Sequence, residues 1–144
     1  MPLNSDDIEA LIPHSGAMSL LSQVVSWDKD GITCLASSHR TLDNPLRNEG
    51  CLPSVCGVEY AAQVMAVHGA LFGTEQNREP RPGYIALVKN LRLEVARLDD
   101  IDPDMTIKVN LLISDQDNYI YQFIILAEGR ELMSGRVTIC IQGS

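Results

Sequence analysis

Net positive charge is the first thing this sequence does not have. Its 144 residues carry 19 Asp and Glu against 11 Lys and Arg, a formal net charge of −8. Nucleic acid wants a basic face for its phosphates, so no nucleic-acid partner is expected. Paired cysteine spacing is missing too. Cys34, Cys51, Cys56 and Cys140 form no C-x-x-C unit, and a chain of this size needs no staples, so reduced thiols in a cytoplasmic protein are expected. Cys51, Cys56 and His39 fit no common zinc spacing, and no metal is expected. No basic stretch leads into an apolar core at the N-terminus, so no signal peptide is expected. No glycine-rich loop follows a strand, which argues against nucleotide binding, and no cofactor is expected. Ser54 lacks the Gly-x-Ser-x-Gly elbow of a serine hydrolase, because Leu52 and Cys56 stand where the glycines belong. Aromatic residues make up only 5%, in a composition otherwise ordinary for a soluble protein. The length suits a single domain, 1–144, with a real core. No internal repeat or low-complexity segment appears.

What is present is organised around Pro53 to Gly73. This stretch is rich in Ala, Val, Met and Leu, and it stops at a glycine suited to a left-handed helix end. A helix of about five turns, roughly 27 Å long, is expected. Its apolar residues run all the way round, so it should be covered on most sides. Glu59, Gln63 and His68 interrupt it and argue against a membrane span. Gln63 stands four residues after Glu59, directly above it on one face. An isolated carboxylate on an apolar helix is costly to bury, and burial should raise its pKa.

Before this helix, Ser5 to Leu11 has a cap-like Ser5 and acids in its first turn, a short helix that Pro13 ends. Leu20 to Trp27 and Ile32 to Ser37 flank Asp28-Lys29-Asp30-Gly31, a hairpin. Ser38 to Leu52 shows no period, and a loop this long is often functional. After the helix and a polar loop, Thr74 to Pro82, the period becomes two. Strands are expected at Tyr84 to Leu98, around Ile107 to Ile113, at Tyr119 to Ala127 and around Val137 to Ile141. Tyr119 to Ala127 is apolar on both faces, which suggests an interior position. The economical α+β solution is an antiparallel sheet curled round one long helix, with any edge strand left over open to a second copy.

This order of elements, with Pro53-Ser54-Val55-Cys56-Gly57-Val58-Glu59-Tyr60-Ala61-Ala62-Gln63 at its centre, resembles the hot-dog-fold 3-hydroxyacyl-(acyl carrier protein) dehydratases. Their central helix opens with Pro-Gly, carries an acid six residues after the proline and a Gln four residues later. Gly57 matches a glycine of the 3-hydroxydecanoyl branch, and Ile12-Pro13-His14 is similar to the family's Leu-Pro-His before the first strand. Here Ser54 replaces the family's glycine. The family's catalytic His, fourteen residues before the acid, falls on Pro45, or on Asp43 if two residues are inserted. The chain is most similar to a dehydratase-like branch, that of aryl-polyene pathways included, which keeps the helix acid and lacks the usual His.

The resemblance implies dehydration of a 3-hydroxyacyl thioester on acyl carrier protein. The assembly it implies is a cytoplasmic homodimer or larger symmetric oligomer, or a hetero-complex with a second dehydratase. That chemistry needs a base for the proton beside the carbonyl, an acid for the leaving oxygen and donors for the carbonyl oxygen. Glu59 is the expected acid, with Gln63 orienting the hydroxyl. The amides of Ser54, Val55 and Cys56, leading into Gly57, are the expected substrate-binding donors at the helix start. Candidates for the base are His39, at the head of the long loop, and His14; the alternatives are a surface histidine and a packing or capping one. Asp43 beside Glu59 would make a carboxylate pair, and His68 should face elsewhere. Five of the eleven basic residues, Arg78, Arg81, Lys89, Arg92 and Arg97, fall within twenty positions. They are either a solvated face or a docking patch for an acidic carrier. Thioester hydrolysis by water that Glu59 activates, and non-catalytic acyl binding beside an active partner, are the competing functions.

Overall fold

The structure, a computed structural model, describes residues 3–11, 19–75, 83–115 and 117–141. The chain runs β1 (Leu3–Asn4), α1 (Ser5–Leu11), β2 (Gln23–Asp28), β3 (Gly31–Ala36), α2 (Gly57–Glu75), β4 (Gly83–Leu93), β5 (Met105–Asp115), β6 (Asn118–Ala127) and β7 (Arg130–Ile141). The strands form one antiparallel sheet in the order β1-β2-β3-β5-β6-β7-β4.

Local chemistry sets the turns. Asn4 rather than Ser5 caps α1: its Oδ1 accepts the Asp7 N–H at 3.0 Å, and Asp7 Oδ2 accepts the Asn4 N–H at 3.1 Å. The pair satisfies two donors that an uncapped helix start leaves open. Asp28 Oδ1 accepts the amides of Asp30 and Gly31 at 2.8 and 3.0 Å and closes the β2–β3 hairpin. Glu128 and Gly129 both have positive φ, 48° and 80°, which suits the tight β6–β7 hairpin.

The period of two carries the core. Met105, Ile107 and Val109 of β5 and Tyr121, Phe123, Ile125 and Ala127 of β6 point inward and are buried. With Leu132, Met133 and Val137 of β7 they share one core with Tyr60, Ala61, Val64, Met65 and Val67 of α2. Each large side chain buried this way stabilises the fold by ~1.5–3 kcal/mol. As expected, β6 lies inside the sheet, between β5 and β7. Its outward residues Ile120, Ile124 and Leu126 are half-buried. The helix is covered on most sides, and among the residues whose burial is described, 57–73, a narrow stripe at Ala66 and Gly69 is exposed. At the sheet's end β4, among the described residues, pairs with β7 alone, and Tyr84, Leu87 and Leu93 are exposed on it.

Candidate active site

The start of α2 is more tightly tied than the sequence suggests. A single 3-10 turn, Ser54–Cys56, precedes the α-helix. The Ser54 N–H donates to Ala96 O at 3.1 Å and the Cys56 N–H to Pro53 O at 3.0 Å. The expectation of three open donors is therefore corrected: two are spent within the chain, and of the three only Val55 keeps its N–H outside these bonds. Gly57 has a packing role. It is buried, and a Cβ on it would lie 2.1 Å from Met133 Sδ and 3.1 Å from Ile125 Cδ1. Its lack of a side chain lets the helix start lie against the sheet rather than opening room for a substrate.

Cys56, Glu59, Tyr60 and Gln63 fall at i, i+3, i+4 and i+7, which puts them on one side of the helix. Cys56 Sγ lies 3.8 Å from Leu46 O. Burial and the nearby Glu59 carboxylate both push this thiol's pKa up. Glu59 is half-buried in the first turn of α2. Tyr60 is fully buried, with its hydroxyl 2.7 Å from Ser38 Oγ and 3.0 Å from Asn44 Nδ2. Gln63 is also buried, and its Oε1 accepts the Leu20 N–H at 3.0 Å. That side-chain oxygen is therefore engaged by the backbone entering β2, a different use from the expected contact with a substrate hydroxyl.

The long loop is held at many points. Asn44 Nδ2 donates to Ser38 O at 2.9 Å and its Oδ1 accepts the Leu46 N–H at 2.8 Å. Arg47 donates to Thr41 O and Gly50 O, both at 2.8 Å. Arg40 donates to Asp102 O and, at 2.7 Å, to Asp104. His39 is fully buried rather than at the surface: its Nε2 lies 2.9 Å from Ile101 O and 3.1 Å from Pro103 O, while Nδ1 has no hydrogen-bond partner among the described residues. Burial pulls its pKa down. A ring bonded in this way anchors the loop to the segment before β5 and is not free to swing toward the helix. His68, facing away from Glu59 as expected, is buried with Nδ1 2.8 Å from Tyr121 Oη and Nε2 2.7 Å from Asp28 O. Its pKa is likewise lowered by burial. Asp43 is exposed while its neighbour Asn44 turns inward. His14, Arg78 and Arg81 lie outside the described residues.

The basic cluster is divided. Arg97 pairs with Asp99, whose Oδ1 also accepts the Leu52 N–H at 2.8 Å, and this holds the Asp99 carboxyl well below the usual range. Lys89 stands opposite Arg136 in the β4–β7 register, a neighbour that no sequence window contains. A cavity of about 350 Å³ opens between residues 94–97, Asp100, Ile101 and Arg130, and another of about 270 Å³ lies at the β2–β3 hairpin; neither is lined by Glu59. Among the described residues, no three His, Cys, Asp or Glu side chains gather as a metal site.

Sequence reasoning missed Ser38, Asn44 and Tyr60 as a unit. Tyr60 sits beside Glu59 in the helix motif and was the one available signal, since a phenol on an otherwise apolar helix needs a partner.

Known proteins place this geometry. The dehydratase heterocomplex ApeI:P from Xenorhabdus doucetiae is similar with a TM-score of 0.85 at 22% identity, covering 95% of this chain and 91% of that one. A thioesterase from Haemophilus influenzae matches with a TM-score of 0.64 at 15% identity, over 98% of this chain and 92% of its own. A hypothetical thioesterase with coenzyme A from Streptococcus pneumoniae TIGR4 matches with a TM-score of 0.60 at 13% identity, over 84% and 85%. At such identities the likeness speaks for the fold, and it is the hot-dog fold. No curated protein matches the sequence. The ApeP-like family, ApeP dehydratase, matches residues 6–142, nearly the whole length, and the chain thus belongs to the ApeP-like dehydratase family.

Proposed function

We propose that this protein removes water from a 3-hydroxyacyl thioester borne on acyl carrier protein and leaves the 2-enoyl thioester, with Glu59 protonating the departing hydroxyl. The observation that carries this is the place of Glu59 in a dehydratase-family chain: a half-buried carboxyl in the first turn of α2, on the helix side that meets the long loop. A base takes the proton from the carbon beside the thioester carbonyl, and that electron pair becomes the new double bond. The C–O bond then breaks, and the hydroxyl leaves as water with the proton from Glu59. The Val55 N–H and the positive end of the helix dipole serve the carbonyl oxygen.

His39 and His68 are bonded into the core, so the base is His14 or a group from a partner chain. The free edge of β4, with its exposed apolar residues, supports an assembly of either kind, a second copy or a second dehydratase. The likeness to the dehydratase heterocomplex ApeI:P supports the second. Lys89 and Arg136 together with Arg92 form the docking surface for an acidic carrier.

The test is incubation of the purified protein, alone and with a second dehydratase, with a 3-hydroxyacyl carrier substrate. A 2-enoyl product supports the proposal. Free acid would mean thioester hydrolysis instead, and acyl binding without turnover would leave a binding subunit.

A further inference from the structure

The polar groups beside Glu59 form a closed ring whose hydrogens can be assigned one way. Ser38 Oγ donates to Leu20 O at 2.7 Å, which leaves it an acceptor for Tyr60 O–H, also at 2.7 Å. Tyr60 Oη then accepts from Asn44 Nδ2 at 3.0 Å, and the other hydrogen on Nδ2 goes to Ser38 O at 2.9 Å. The Leu20 N–H returns to the helix through Gln63 Oε1 at 3.0 Å. Both backbone polar groups of Leu20 are thus gripped from α2, directly by Gln63 and through Ser38 by Tyr60. The ring joins the strand that enters β2, the turn that leaves β3 and the loop at Asn44 to one helix side, and Cys56 meets Leu46 O one turn earlier. Glu59 stands between these two ties. Hydrogen bonds chained in this way reinforce one another in a buried setting. For stability alone, an apolar set of the same shape would serve about as well.

We propose that Tyr60 is a positioning residue: through Ser38, Asn44 and Leu20 its hydroxyl fixes two chain segments against the helix side that carries Glu59, and so fixes where the substrate lies against that carboxyl. This rests on Glu59 being the catalytic acid. Loss of the ring lets both segments shift, and displacements of about 1 Å cost on the order of a hundredfold in rate when a reacting group is misplaced.

The test takes Y60F, S38A, the double variant and E59Q in the assembly that turns over substrate. Two readouts are used: kcat/KM per folded molecule, and amide hydrogen exchange across residues 38–47. Y60F and S38A are each expected to lose about tenfold or more in kcat/KM, with faster exchange at Leu46 and Arg47. The double variant is expected to be no worse than Y60F, because one unit is broken once. S38A breaks the ring from the loop side and keeps the test open if Y60F folds poorly. Parental kcat/KM in Y60F and S38A, unchanged exchange, or additive losses would overturn the positioning role while an inactive E59Q leaves the dehydratase reading standing. An E59Q that turns over like the parent would remove the acid role of Glu59, and the positioning role that rests on it, while the dehydration itself stands.

Discussion

Two histidines are buried in the neutral form, and the fold depends on keeping them so. His39 presents Nε2–H to backbone carbonyls and has a bare Nδ1; His68 accepts from Tyr121 Oη and donates to Asp28 O. Burial lowers both pKa values from the ordinary 6.5, so the unfolded chain takes up protons first as the pH falls. Their stabilisation is complete above pH 6.5 and is lost progressively below it. The urea midpoint is therefore expected to hold between pH 7 and 8 and to drop on acidification through 6.5. The drop should be smaller in a variant with both histidines replaced by Gln, and a flat profile in the parent would contradict this. The sequence made His68 legible as a residue turned away from Glu59, because helix angle follows from spacing. It did not reveal the role of His39, whose carbonyl partners lie 62 and 64 residues further along the chain.

Among the elements, α2 depends on how closely its first residue meets the sheet. Gly57→Ala puts a methyl 2.1 Å from Met133 Sδ, and Met133 is itself fully buried, so the Met133 side chain, the helix start or β7 must shift. A loss of ~1–3 kcal/mol is expected, read as a lower urea midpoint with an unchanged slope. Strands β5 and β7 were legible from alternating residues, β2 and β3 from the hairpin turn between them, and β6 from its run of apolar residues between two turns. The long helix was legible from its composition. The loop from Ser38 to Leu52 was not: it shows no period, yet its Asn44 reaches the Tyr60 hydroxyl in the core. No local period encodes a polar network whose members are drawn from four separate stretches of chain.

At the scale of the whole molecule, the exposed end of the sheet and the uneven charge both point outward to other chains. Leu87 and Leu93 on β4 are exposed, and the assembly proposed above through this edge is expected to be lost when both are replaced with Glu. Light scattering should then show a smaller species with its far-UV spectrum retained; an unchanged mass would place the interface elsewhere. The fold was largely visible in the sequence, but the candidate site only in part. Glu59 was marked as the lone carboxylate of an apolar helix, whereas the ties of Gln63 to Leu20 and of Tyr60 to Ser38 and Asn44 join residues far apart in the chain. The role of Glu59 is tested most directly by the mass of the acyl chain after a 3-hydroxyacyl carrier meets the parent or E59Q. The parent assembly should convert the chain to the enoyl form by loss of one water, and E59Q should be slower by at least about a hundredfold. Conversion by E59Q at the parental rate, or release of the free acid by the parent, would contradict the account.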